Sequence, residues 1–384
     1  MSDVFDSVLG DKRFAENLRS MALSDNLAQS YLFVGPADSA AMSAALAIAS
    51  WAVCDNNACG VCESCKKVLR GVHPDVHVYE PEGASGYLIG QVRGIIADAQ
   101  RSPIQAKRKV YLIKDADMLN ASSANAFLKT LEEPPRDTMF VLFASSEQAM
   151  IPTIVSRCRI IGFSAMPMEE IVDAVCKKTG CSRTTAVVAY FQEVGNVDKA
   201  IRFIADVQRQ NLRRQTIDLL GSLRTLSDWE IVKRCSRLVA DTQKAAKELD
   251  AANEQALTQN KDFLTAAAAK ELEIRAKRAS SALKNDLYVG VAITVQNWLR
   301  DIVYSISRGQ KSLLEDDKTS LTCPDVGEEI ADACMYLSLD DAVRAQALCG
   351  KIATALKYNV TPETCMDALF LELKEVLYDS GRSR

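Results

Sequence analysis

The stretch VYLIKDADMLNASSANAFLKTLEEPPRDTMFVLFASSEQAMIPTIVSRCRIIGF, residues 110–163, decides the fold. It opens on Val110-Tyr111-Leu112-Ile113, an apolar run with the length of a strand buried on both faces. Past a polar junction, Ala124, Phe127, Leu128 and Leu131 recur at helical spacing and predict a helix from about Ser122 to Leu131. Pro134-Pro135 ends it, because the residue before a proline is driven out of the α region. A second buried strand is expected from Met139 to Ala144. A helical turn then delivers Ser156-Arg157-Cys158 just ahead of a third apolar run, Ile160-Ile161-Gly162-Phe163. Strand, helix, strand, with a charged group presented at the end, is the grammar of an α/β nucleotide-binding core, a parallel sheet flanked by helices.

Working outward to the N-terminal side, Phe14, Leu18 and Met21 share one face of an amphipathic helix that Ser24-Asp25-Asn26 stops. Tyr31-Leu32-Phe33-Val34 reads as another short buried strand, Gly35-Pro36 as a turn, and the alanine-rich segment from about Ser39 to Val53 as a helix. A phosphate-binding loop would sit in that turn. Such a loop needs glycines that let backbone N–H groups face phosphate, a lysine for the β/γ-phosphates and a hydroxyl for Mg²⁺. Gly35 fits, but Ala40 stands in the slot of the second glycine, Ala41 in that of the lysine and Met42 in that of the hydroxyl. Asp38 adds a negative charge beside the phosphates. After the strand at 110–113, Lys114 occupies the position of the metal-holding carboxylate and Asp115 that of the water-orienting glutamate. A lysine repels Mg²⁺. Lys114 is then either a salt-bridged or solvated lysine or a surrogate cation, and the loop is an ordinary strand–turn–helix with no nucleotide of its own.

Cys54, Cys59, Cys62 and Cys65 are spaced C-x4-C-x2-C-x2-C. Short gaps let neighbouring thiolates converge, and four sulfurs make a closed tetrahedral site suited to structural Zn²⁺, with no place for a catalytic water. Gly60 supplies the tight turn between ligands. His73 and His77 follow closely and read as loop residues, since four thiolates already fill the shell.

With 384 residues, 48% of them hydrophobic, the chain can bury two or three domain cores. A net charge of −4 gives no global pull toward nucleic acid or membrane, so any DNA contact has to be local. The start, MSDVFDSVLG, has neither the basic nor the apolar region of a signal peptide, and no apolar run approaches the roughly 20 residues of a membrane helix. A cytosolic protein is expected, and in a reducing compartment clustered cysteines bind metal rather than form disulfides.

Leu88, Val92, Ile95, Ile96 and Ala99 predict a helix over 87–99. Arg93, Arg101, Lys107, Arg108 and Lys109 make the segment 93–114 locally basic, either a solvated charged face or a DNA-contacting one. Pro167, followed by Glu169-Glu170, opens a run of short helices near 168–178, 183–193 and 197–208, separated by Gly180 and Gly195-Asn196. Beyond 211 the chain reads as all-helical. Ser227-Asp228-Trp229-Glu230 has the form of a capping box, and the segment near 240–285 reads as a long helix or helical hairpin. Cys323, Cys334, Cys349 and Cys365 are too scattered for a site and read as small core residues.

The segments LKTLEEPP, SRC at 156–158 and HPDV at 73–76 resemble the bacterial DNA polymerase III clamp-loader family, a branch of the AAA+ ATPases. The resemblance is specific over about Val4 to Phe163, fair to about residue 208 and weak beyond. It implies an α/β AAA+ core over 1–165 with a zinc-binding module at 54–65, a small helical lid domain over 166–210 and an all-α collar domain over 211–384. In the lid of this family a Gly-x-x-Arg offers an arginine to the γ-phosphate; here Gly195-Asn196-Val197-Asp198 has Asp198 in its place. Arg157 matches the arginine finger of the SRC motif, which reaches into a neighbour's ATP site; Arg159 lies close enough to exchange roles with it. The resemblance therefore implies a non-hydrolysing part of a DNA polymerase holoenzyme. Its partners would be ATPase subunits of tau/gamma type, a delta-type subunit, the sliding clamp and, through the assembly, primed DNA. The competing readings are an autonomous ATPase of the same family and a zinc-dependent nucleic-acid-binding protein.

Overall fold

The structure, a computed structural model, describes residues 3–379 apart from 11, 25, 37, 84–85, 260–265, 309–320 and 358–360. The described residues fall into two compact units, Met1–Glu170 and Ile171–Arg384.

In the first unit, five strands form one all-parallel sheet: β1 (Ser30–Val34), β2 (Val76–Tyr79), β3 (Lys109–Ile113), β4 (Thr138–Ala144) and β5 (Arg159–Gly162), in the order β2-β3-β4-β1-β5. The alternation of side chains along a strand splits them between two cores. Val110, Leu112, Met139 and Val141 face one side, with α1 (Lys12–Leu23), α2 (Ala41–Val53) and α3 (Glu63–Leu69) packed there through residues such as Leu18, Ile48 and Val68. Tyr111, Ile113, Phe140 and Leu142 face the other, against α4 (Ile89–Ala99), α5 (Ala121–Glu132) and the single turn α6 (Pro152–Val155). A doubly covered sheet explains the continuous apolar runs of β3 and β4. β5 is an edge strand, and Ile160 on it is 41% exposed.

Local chemistry sets the element ends. Asn120 caps α5, its side chain accepting from Ser123 N at 2.9 Å. Pro134 and Pro135 follow α5 as expected. α4 begins at Ile89, two residues later than the 87–99 expectation. Tyr87 instead bridges Leu119, and its buried hydroxyl donates to Tyr79 O (2.9 Å) and Lys114 O (2.6 Å), tying the carboxyl ends of β2 and β3.

The second unit is helical. Three short helices, α7 (Met168–Thr179, which begins just inside the first unit), α8 (Arg183–Gln192) and α9 (Val197–Ala205), precede α10 (Val207–Ser222), α11 (Asp228–Gln259), α12 (Ala266–Arg308), α13 (Gly327–Cys334), α14 (Leu339–Lys357) and α15 (Pro362–Lys374). The capping box at the start of α11 is formed: Ser227 N donates to Glu230 Oε2 at 2.8 Å and Glu230 N to Ser227 Oγ at 3.4 Å. α11 and α12 pack together, and Ser280 Oγ on α12 donates to Ala246 O on α11 at 3.1 Å. The link between them, 260–265, lies outside the described residues. Trp298, Cys323, Cys334, Cys349 and Cys365 are all buried in this unit's core.

Among the described residues, no helix is long and apolar enough to cross a membrane.

Candidate functional site

α2 runs into the cysteine segment, and α3 carries its last ligand-type residue. The Sγ atoms of Cys54, Cys59, Cys62 and Cys65 all lie within 4.8 Å of one another. Cys54 Sγ stands 3.7 Å from Cys59 Sγ and 3.6 Å from Cys62 Sγ. Four sulfurs each about 2.3 Å from one tetrahedral ion are separated by about 3.8 Å, so these spacings fit a metal held by four thiolates.

The loop is built for that convergence. Asn57, Ala58 and Gly60 all have positive φ, two of them without the freedom of glycine, at a cost of about 1 kcal/mol each. The fully buried Ala58 accepts from Val4 N at 2.9 Å, which anchors the turn to the start of the chain. Backbone N–H groups point at sulfur, Asn56 N to Cys54 Sγ at 3.3 Å and Cys65 N to Cys62 Sγ at 3.4 Å, contacts that favour and orient a thiolate. Backbone donors at Val61 and Cys62 bring the Cys59 thiol down to about 7, while burial pushes Cys65 up.

His73 and His77 are directed elsewhere. His73 Nδ1 accepts from Asp75 N at 3.1 Å, and the Asp75 carboxylate takes the N–H groups of Ile104, Gln105 and Ala106. His77 stacks on Tyr111 with ring centroids 5.0 Å apart. Among the described residues the converging ligand-type group consists of the four cysteines.

The basic segment is more engaged than its sequence implies. Lys109 is buried, its Nζ 3.4 Å from Asp98 Oδ2 and 3.1 Å from Asp98 O. Burial works against the Asp98 charge, but the Tyr111 hydroxyl at 2.6 Å and the Lys109 ammonium hold that carboxyl below its ordinary range. Lys107 pairs with Asp55 at 2.9 Å, and Arg108 lies over the Trp51 ring at 4.7 Å. Arg93 remains exposed.

At the loop after β1, Gly35 N donates to Ala144 O at 3.0 Å, and a Cβ on Gly35 would stand 2.5 Å from Phe163 O. Ser39 N donates to Pro36 O, and Met166 N to Asp38 O at 2.9 Å. Ala40 and Ala41 are buried, and Met42 packs partly buried against the same core. Lys114 Nζ sits 2.8 Å from Glu80 Oε1. Asp115 takes a left-handed conformation, φ 47°, and the next carboxylate, Asp117, accepts from both the N–H and the hydroxyl of Ser145. The Asp117–Ser145 pair lies at the carboxyl ends of β3 and β4, the edge at which open parallel sheets bind ligands. Sequence reasoning passed over it, because neither residue sits in a motif.

Arg157 follows α6. Its Nε donates to Glu132 Oε2 at 3.2 Å, and its Nη1 to Thr153 O at 2.9 Å and Ser156 Oγ at 3.4 Å. Glu132 comes from the far end of α5 and was not foreseen as a partner. Asp198 lies in the first turn of α9, whose cap Asn196 accepts from Lys199 N at 2.9 Å.

Residues 10–167 match the family described as DNA polymerase III, delta subunit. DNA polymerase III subunit delta' of Bacillus subtilis is 30% identical over 198 residues, 51% of this chain and 59% of its own length. Subunit delta' of Pseudomonas aeruginosa is 37% identical over 136 residues, 34% of this chain and 42% of its own. Subunit tau of Bacillus subtilis is 33% identical over 178 residues, 45% of this chain and 31% of its own. The chain spans between 31% and 59% of the length of these three relatives. The chain is thus similar to the DNA polymerase III delta-subunit family over residues 10–167, and to a delta' subunit over about half of its length.

Proposed function

We propose that this chain is a clamp-loader subunit that does not hydrolyse ATP itself and lends Arg157 to the ATP site of a neighbouring ATPase subunit. Its partners are then the tau/gamma-type ATPases and a delta-type subunit, and the assembly places a sliding clamp on primed DNA in the cytoplasm. What supports this reading is the asymmetry between two sites in one domain. In the loop at 35–42, Gly35 N and Ser39 N are engaged within the chain and no residue is a cation, while Arg157 is a guanidinium held at two points on a short turn. A guanidinium so placed can stabilise charge developing on a γ-phosphate.

In this reading the ion at the four cysteines is Zn²⁺, held by Cys54, Cys59, Cys62 and Cys65. Bound there it supplies structure, cross-linking the end of α2 to the start of α3. Residues 166–210 act as the lid and 211–384 as the collar through which subunits assemble, with 240–285 an elaboration of the collar.

The test has two parts. The purified chain is titrated with labelled ATP and Mg²⁺, and binding at micromolar concentrations or steady turnover refutes the non-hydrolysing role. Arg157→Ala is then reconstituted with the ATPase subunits, the delta-type subunit and the clamp. Assembly is retained and DNA-stimulated hydrolysis falls by the contribution of one site; unchanged hydrolysis rejects the finger.

A further inference from the structure

Arg157 is a long side chain just past the one-turn helix α6, with its side chain 29% exposed. An unrestrained arginine at such a place samples many rotamers, and an arginine that must meet a phosphate oxygen on another molecule would have to be ordered at each encounter. Here it is held from two elements at once. α6 and the residue capping it supply Thr153 O and Ser156 Oγ to Nη1, and the last residue of α5 supplies Glu132 Oε2 to Nε. These contacts account for Nε–H and for the Nη1 edge. Among the described residues Nη2 has no recorded partner, so its pair of N–H groups is the edge left for an incoming anionic oxygen.

We infer that Glu132 is the positioning residue of Arg157: it fixes the guanidinium plane so that Nη2 faces the partner's nucleotide. This rests on the proposed role of Arg157 in trans.

The geometry also separates a structural from a positioning role for Glu132. Its side chain is 59% exposed, and an exposed ion pair adds little to stability, so removing it leaves the fold intact. The neutral ends of the anchor, Thr153 O and Ser156 Oγ, reach only Nη1 and leave the guanidinium free to turn about that end. Glu132 supplies the second point that defines a plane. A misplacement of an ångström in a reacting constellation can cost on the order of 100-fold. Loss of one of two anchors should therefore be felt in turnover and not in nucleotide affinity.

The experiment uses the full chain reconstituted with the tau/gamma-type and delta-type subunits and the clamp. The Arg157-dependent share of DNA-stimulated ATPase is the difference between wild type and Arg157→Ala. Glu132→Ala should remove most of that share, roughly 5-fold or more in kcat, with KM for ATP unchanged within about twofold. Glu132→Gln keeps an oxygen acceptor at the same reach and should retain at least half of it. The double variant should be no slower than Arg157→Ala alone, because the glutamate acts only through the arginine. In the isolated chain, the Arg157 Nε–H resonance should be protected from exchange in wild type and lose that protection in Glu132→Ala.

A full Arg157-dependent share in Glu132→Ala overturns the positioning role while leaving the finger in place. So does a further loss when Glu132→Ala is added to Arg157→Ala. If Arg157→Ala itself changes nothing, both the finger and the positioning role fall, whatever the resonance shows.

Discussion

Glu193→Gln should stabilise the helical unit in alkaline solution and leave it nearly unchanged in acid. Glu193 caps the end of α8, with its side chain only 11% exposed. Burial drives its carboxyl up to about 7; Arg209, 3.6 Å away, pulls it down but is shared with Asp206 at 3.2 Å and with Asp286. Asp286 pushes Glu193 further up, while Lys199 and Arg202 oppose it. One guanidinium thus faces three carboxylates, of which Glu193 is the most buried. The folded-state pKa lies above the unfolded value of 4.5, so the native state binds the proton more tightly. Stability is greatest below about 4.5, declines as pH rises from there to about 7, and is level above. At about 1.4 kcal/mol per unit the decline totals about 3 kcal/mol. Glutamine carries no charge at any pH, so the variant should gain about 3 kcal/mol at pH 8 and less than about 1 at pH 5. Urea unfolding followed by tryptophan fluorescence checks this in a Trp51→Phe background, where the remaining tryptophans, Trp229 and Trp298, both lie in the helical unit. An equal effect at both pH values, or a loss of stability at pH 8, refutes the reasoning, since either outcome means that Glu193 is held charged by Arg209.

Two further outcomes follow from the same kind of accounting. Cys62→Ser should abolish stoichiometric Zn²⁺ binding, measured by metal analysis after dialysis, and raise amide exchange at 54–65 and at Val4, whose N–H is tied to Ala58 O, without unfolding the sheet. Asp301→Ala should cost the helical unit about 3 kcal/mol or more in urea unfolding, because the buried carboxylate accepts from Thr322 N at 2.9 Å and Cys323 N at 2.7 Å, and both donors would be left without a partner.

How much of this was readable depends on how local each determinant is. β3 and β4 were legible because strands covered on both faces are apolar throughout, and the four cysteines because ligand spacing is itself local. β2 was not: VHVY is an edge strand whose two valines are separated by a histidine that stacks on Tyr111, so no strand period stands out. α3 escaped notice because its seven residues begin inside the cysteine motif, with Cys62 as the cap. Lys109 read as surface charge because the acid that neutralises it, Asp98, belongs to a different element. Glu132 read as part of a helix terminus because its partner lies 25 residues away and only the fold brings α5 and α6 together.

The same logic applies to the loop after β1, where composition alone understates the argument. Replacing the motif residues removes lysine and hydroxyl, but a glycine-flanked turn at a helix start retains backbone N–H groups that can hold an anion without either. Whether they are free is a question of tertiary structure. Gly35 N is taken by Ala144 O, and the backbone of Phe163 lies where a Cβ on Gly35 would be. The first residues of α2 are covered in turn: Leu9 N donates to Ser43 Oγ, which donates to Ala40 O, while Gly10 lies close to both Ala40 and Met166. The helix start is thus packed against the chain's own segments at 9–10 and 163–166. Restoring a lysine at position 41 would place it at a buried site, and the surrounding segments would have to withdraw before phosphate could reach the helix end. The absence of a cation in this turn and the burial of the first residues of α2 are separate features, and each would oppose phosphate binding there on its own.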